Sequence, residues 1–109
     1  MKIVNQKNIP PTEDACGKLQ ELYSSDNLSL SYSVVTDSSK SHKHLKIEEV
    51  YYVIKGKAKL KIGDEIFSIE KGDIFSIPKN EYHNIQDVEE TIEVVVVTNP
   101  KFDLNDLIY

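Results

Sequence analysis

The 109-residue sequence contains no arginine: all 13 of its basic side chains are lysine. It therefore lacks the bidentate guanidinium fork that commonly clamps phosphate or carboxylate groups, and an anionic substrate would have to be held by a lysine or a bound cation. The lysines form no basic stripe, and 18 Asp and Glu residues leave a net charge of -5, so a nucleic-acid partner is not expected. A single cysteine, Cys16, excludes an internal disulfide and reads as a small buried hydrophobe in a reducing cytosol. No segment approaches the roughly 20 apolar residues of a membrane span, and residues 1–5 carry no extended apolar stretch. Internal repeats and low-complexity linkers are also missing. A soluble cytoplasmic protein made of one domain, residues 1–109, is the expectation, with no membrane partner.

What is present is a series of short alternating runs cut by Gly, Pro, Asn and Asp, the punctuation of an all-β domain. Leu28, Leu30, Tyr32 and Val34 alternate with Ser29, Ser31 and Ser33, which puts the large side chains on one strand face and the serines on the other. The large face is expected to point inward. Ala58, Leu60 and Ile62 alternate with Lys57, Lys59 and Lys61, and Gly63-Asp64 turns the chain into Glu65 to Ile69 as a hairpin. Lys71-Gly72-Asp73 makes the next turn, into Ile74 to Ile77, where Pro78 removes a ladder donor and ends the strand. Ile92 to Thr98, with Val94 to Val97 inside it, is apolar on both faces, so its outer face calls for a cover such as a subunit interface. A homodimer is expected on that ground. Residues 13–23 admit a helix, from the spacing of Ala15, Leu19, Leu22 and Tyr23, or a strand over Lys18 to Tyr23, and the strand is preferred partly on the family resemblance set out below. Asp103 can cap a short final helix through Leu104, Leu107 and Ile108, or the tail can lie extended over a neighbour.

All three histidines fall in two short strings, His42-Lys43-His44 followed by Glu48-Glu49, and Pro78 to His83. Imidazole is the commonest ligand of exchangeable transition metals, and three imidazoles with one carboxylate hold a divalent ion while leaving coordination sites free. On an extended backbone His42 and His44 point to the same side, with Lys43 pointing away. Glu48 keeps their parity; Glu49 joins them only if Leu45 to Glu48 turns or bulges. His83 has to be brought in by strand pairing. With every histidine in the strings, no serine or cysteine has a free imidazole base, so acid–base work would fall to Glu48, a tyrosine or water on the metal.

The two strings resemble the paired motifs of the cupin superfamily, Gly-x5-His-x-His-x3-4-Glu-x6-Gly and Gly-x5-Pro-x-Gly-x2-His-x3-Asn. His42, His44, Glu49 and Gly56 match the first (residues 36–56), and Gly72, Pro78 and His83 match the second (residues 72–87). Thr36, Asn80 and Asp87 stand where the motifs have Gly, Gly and Asn; none of these is a ligand position, and Asn tolerates the left-handed conformation that the turn at 80 requires. The resemblance selects Glu49 over Glu48 and implies a double-stranded β-helix or jelly-roll barrel, with one divalent metal (Fe, Mn, Ni or Zn) held by His42, His44, Glu49 and His83. It implies a small oxygenated ligand or substrate, in a metal-dependent dioxygenase, decarboxylase or sugar isomerase, or in a non-catalytic binding or sensing module; many small cupins also dimerise. Tyr32, Tyr51 and Phe75 are the candidate pocket residues, with Tyr82 beside His83 as a further wall. The acidic run from Asp87 to Glu90 reads as a solvated loop.

Overall fold

The computed structural model of the chain describes residues 3–14 and 17–109, so Ala15 and Cys16 lie outside the described residues. Among the described residues run nine strands: β1 (Thr12–Asp14), β2 (Gly17–Ser24), β3 (Ser29–Val35), β4 (Lys43–His44), β5 (Glu48–Ile62), β6 (Glu65–Glu70), β7 (Ile74–Ile77), β8 (His83–Asn99) and β9 (Leu107–Ile108). The only helical pieces described are 3-10 turns at Gln6–Asn8 and Leu104–Asp106. The described residues of the 13–23 region are thus strand, 13–14 in β1 and 17–23 in β2, and not helix. Asp103 does cap, its side chain accepting from Asn105 N, but the turn it caps is a single one and the chain then extends into β9.

Among the described residues the strand pairings are antiparallel, in the order β1-β2-β3-β8-β5-β6 with β7 beside the first half of β5 on the edge opposite β8, and β4 pairs with β9 separately. The long β5 and β8 run beside each other along the whole barrel. Their register breaks three times between Val53 and Lys59, and there the pair bends from one layer of the jelly roll into the other. Gly56 sits in that bend with φ +100°, where an added Cβ would strike the backbone oxygen of Thr91, so the closing glycine of the first motif is required by close backbone approach. Val53, Ile92 and Val94 are fully enclosed, and with Val35, Leu60, Ile77 and Ile85 they fill the interior below the histidines.

The faces of β3 are the reverse of the expectation. Ser29, Ser31 and Ser33 are the buried side chains and Leu30, Tyr32 and Val34 lie on the outside, half-buried. Alternation establishes that two faces differ, not which one turns inward, and here the small hydroxyls face the histidines while the large groups build an outer apolar sheet face. Tyr32 therefore does not line the interior: its hydroxyl donates to the Glu93 carboxylate, and burial together with that carboxylate pushes the phenol up to about 12. The valine run alternates as well, with Val94 and Val96 buried and Val97 40% exposed on the outer face.

Candidate metal centre

The first two histidines reach the interior from β4 and the residue just before it. Beyond His44 the chain bends at Leu45 and Lys46, and this bend shifts the parity so that Glu49, and not Glu48, faces inward from the start of β5. Glu48 is exposed, which removes it as an acid–base group of the site. A carboxylate absent from the sequence reading secures the bend: buried Asp106 accepts from Lys46 N at 3.0 and 3.1 Å and from Ile47 N at 3.1 Å. His83 arrives at the head of β8, fixed by a mutual pair of backbone bonds with His42 at 2.9 and 3.1 Å. Asn80, left-handed at φ 66° as its motif position requires, donates its N–H to His44 O at 2.7 Å and ties the second motif to the first.

Ligand-atom positions in His42, His44, Glu49 and His83 all lie within 4.8 Å of one another, and all four residues are buried. Glu49 Oε1 stands 3.4 Å from His44 Nε2 and 3.3 Å from His83 Nε2. Buried side-chain N and O atoms without a hydrogen-bond partner are few among the described residues: His44 Nδ1 and Nε2, Glu49 Oε1 and His83 Nε2. Three of these face one another. Buried polar atoms are ordinarily satisfied, so a cluster of orphans sharing one focus fits a cation as their common partner.

The surrounding groups prepare each side chain for that role. His42 donates Nδ1–H to Lys40 O at 2.7 Å and His83 donates Nδ1–H to Glu81 O at 3.0 Å, so in each ring Nε2 is left as the bare lone pair. Tyr51 donates its hydroxyl to Glu49 Oε2 at 3.3 Å, leaving Oε1 to the focus. Burial pulls the His42 imidazole down to about 4, and it lowers His44 as well against a partial lift from Glu49. Burial alone would raise Glu49, but the close approach of His83 and the neighbouring imidazoles of His44 and His42 outweigh that and hold its carboxyl below the usual range. Neutral imidazoles beside an ionised carboxylate are the forms that coordinate a metal.

Around this focus lies a chamber of about 20 Å³ lined by Ser31, Ser33, Tyr51, Val96, Thr98, Phe102 and Leu107, among others. Of the candidate pocket residues, Tyr51 is a wall; Phe75 stands behind it, stacked on its ring at 4.8 Å between centroids, and Tyr32 is on the opposite face of its strand. Tyr82 is exposed, with the Lys43 ammonium 5.0 Å over its ring. The reading of the sequence missed the hydroxyl wall and the contributions of Phe102, Asp106 and Leu107. Only the serine alternation was a usable signal for any of these.

The Cupin domain family model matches residues 32–98 of the chain, a stretch that contains all four convergent residues. The chain is a cupin. An uncharacterized protein of Methanocaldococcus jannaschii is 28% identical over 88 residues, which span 78% of this chain and 70% of that protein. A protein from Planctomyces limnophilus has a solved structure that superposes with a TM-score of 0.89 at 21% identity, over 100% of this chain and 96% of that one. The Streptomyces nucleoside dehydratase Pac13 superposes with a TM-score of 0.84 at 14% identity, over 98% and 88% of the two chains. At these identities the structural likenesses describe the shared barrel, and the chemistry has to be argued from this chain's own residues.

Proposed function

We propose that this cupin binds one divalent transition ion, Fe, Mn, Ni or Zn, through His42, His44, Glu49 and His83, and acts as a metal-dependent enzyme on a small oxygenated substrate. The observation that carries the reading is the shared focus of the unpartnered atoms His44 Nε2, Glu49 Oε1 and His83 Nε2. Three nitrogens and one oxygen leave positions open on a six-coordinate ion, which would supply Lewis-acid polarisation of a substrate oxygen. Around the focus, Ser31, Ser33 and Thr98 offer hydroxyls for orienting an oxygenated ligand, and Tyr51 is the protic group in contact with a ligand carboxylate. Enzymatic function in a barrel of this shape has a precedent in the nucleoside dehydratase.

The test is elemental analysis of protein purified without chelator, and of protein reconstituted with each metal, followed by a screen of polyols, hydroxy and keto acids, and phenols with O₂. One ion per chain, lost in His83→Ala, and turnover that vanishes with chelator support the proposal. Absence of metal after reconstitution sinks it, and metal-dependent ligand binding by calorimetry without turnover would make the chain a binding module instead.

We further propose a homodimer in the cytoplasm, acting as a single domain. Across the outer sheet face, Ile74, Tyr52, Val95 and Tyr32 are successive cross-strand neighbours, with Val50, Val97 and Leu30 in the adjacent row. Tyr52 is 48% and Ile74 69% exposed, an apolar band that a second copy would cover. No helix of the described residues is long and apolar enough to cross a membrane.

A further inference from the structure

The chamber of about 20 Å³ has room for an ion or a water and nothing larger, since one water needs about 10–15 Å³ and organic ligands occupy sites of about 300–1,000 Å³. A ligand that is to reach the metal focus therefore has to displace a wall. Most of the walls belong to the barrel proper. Ser31 and Ser33 are on β3, which pairs with β8 over seven residues, and Tyr51 and Val96 sit opposite each other in the central β5–β8 ladder. Moving these would open the core. Phe102 and Leu107 are different, because they come from the segment 101–109, which crosses over the histidines after the last long strand has ended.

That segment is tied to the rest of the chain by few bonds, among them an exposed ion pair of Lys101 with Asp26 at 3.8 Å. Leu107 and Ile108 pair with only His44 and Lys43. Phe102 N donates to Ser29 Oγ at 3.1 Å, the Tyr82 hydroxyl reaches Tyr109 O at 3.5 Å, and the Lys40 ammonium lies 5.6 Å over the Tyr109 ring. Asp106 is the strongest attachment, taking the backbone N–H groups of Lys46 and Ile47 on its carboxylate while lying 4.0 Å from His44 Nδ1. Release of the segment leaves every other fixing bond in place: His42 keeps Lys40 O, His83 keeps Glu81 O, Glu49 keeps the Tyr51 hydroxyl and His44 O keeps the Asn80 N–H. Segments with few tertiary bonds are the ones that open independently of the fold.

The geometry points to residues 101–109 as the door of the chamber, latched by Asp106, which must swing away from β4 for any ligand larger than water to enter. The door takes its purpose from the metal reading, but its test is independent of the metal. The chain has three histidines and all are in the convergent cluster, so carbethoxylation of imidazole by diethyl pyrocarbonate in metal-free protein reports on access to this chamber alone. The intact chain should react slowly, and deletion of Leu107–Tyr109, which retains Asp106, should raise the rate by at least about tenfold. The converse variant, K43C/I108C in a C16S background, crosslinks a cross-strand pair of β4 and β9; its oxidised form should react more slowly than its own reduced form. This comparison stands even if the deleted chain fails to fold. Equal rates in the oxidised and reduced forms, or in the intact and deleted chains with the fold preserved, would overturn the door. Should the door behave as expected in a protein that takes up no metal, the metal reading fails and the door remains; metal uptake with unchanged rates gives the reverse.

Discussion

Tyr51 and Glu49 lie two residues apart on one face of β5, and the tyrosine hydroxyl donates to the carboxylate at Oε2, the oxygen that does not face the histidines. Strand periodicity thus makes the orienting residue a fixed neighbour of the residue it orients. With Oε2 held at 3.3 Å, Oε1 is aimed at the focus without help from solvent. Tyr51→Phe keeps the ring stacked on Phe75 and removes the bond to Glu49, so the barrel should fold normally while metal affinity falls by about tenfold or more. Competition with a chromophoric chelator measures this, and an unchanged affinity would show that Glu49 needs no such support.

The convergence of His42, His44 and His83 could be read from the sequence because it is set by short-range constraints: an x-spaced histidine pair on an extended backbone, a left-handed turn at Asn80, and a glycine where β5 meets Thr91. The hairpins were legible for the same reason, with Gly63 and Gly72 both at positive φ in their turns. The orientation of β3 was not, since Ser29 and Leu30 differ in which layer they meet only after β3 has paired with β8. Asp106 is some 60 residues from the backbone groups it caps, and nothing local marks it as different from exposed Asp103. Parity alone favoured Glu48, and the bend that overrules it is held by that same distant carboxylate.

Acid should destabilise the metal-free protein through the histidines. His42 in the folded state titrates near 4 instead of 6.5, because burial disfavours its cation. Between those values the unfolded chain binds a proton that the folded one does not, so stability is complete above pH 6.5 and declines as pH falls towards 4. His42 alone contributes at most about 3 kcal/mol to this loss, and His44, also lowered, adds to it in the same direction. Denaturant midpoints should drop across this window in the native chain and drop less in His42→Gln. Bound metal should hold stability to lower pH and then be released as protons compete for the nitrogens. A midpoint that is flat from pH 7 to pH 4 would refute the burial of neutral imidazoles.

On the outer face, Val97 stands between Val50 and Leu30 with 40% of its surface exposed, whereas Val96 beside it is buried. Val97→Glu should convert a dimer to monomers without unfolding the barrel, because the new charge remains in water once the copies part. Val96→Glu should instead unfold the chain by placing a charge in the interior. Light scattering at micromolar concentration, with circular dichroism on the same samples, separates the two outcomes. A monomeric native chain would leave the apolar outer band without a second copy.

The reversed faces of β3 make opposite substitutions diagnostic. Ser33 is buried against the chamber and has no free volume beside it for two further heavy atoms, so Ser33→Leu should cost about 1–3 kcal/mol by overpacking. Val34, the next residue, is half-buried on the outer face opposite Lys18 and Glu93, where a hydroxyl can reach water. Val34→Thr should therefore change stability by no more than about 0.5 kcal/mol. Had the large side chains been the inward set, the ranking would be the other way round: leucine at 33 would be tolerated at the surface, and threonine at 34 would bury an unsatisfied hydroxyl at a cost of about 1–3 kcal/mol. Urea midpoints of the two variants decide between these arrangements, and Val34→Thr proving the more damaging of the pair would mean that the serines do not face the histidines.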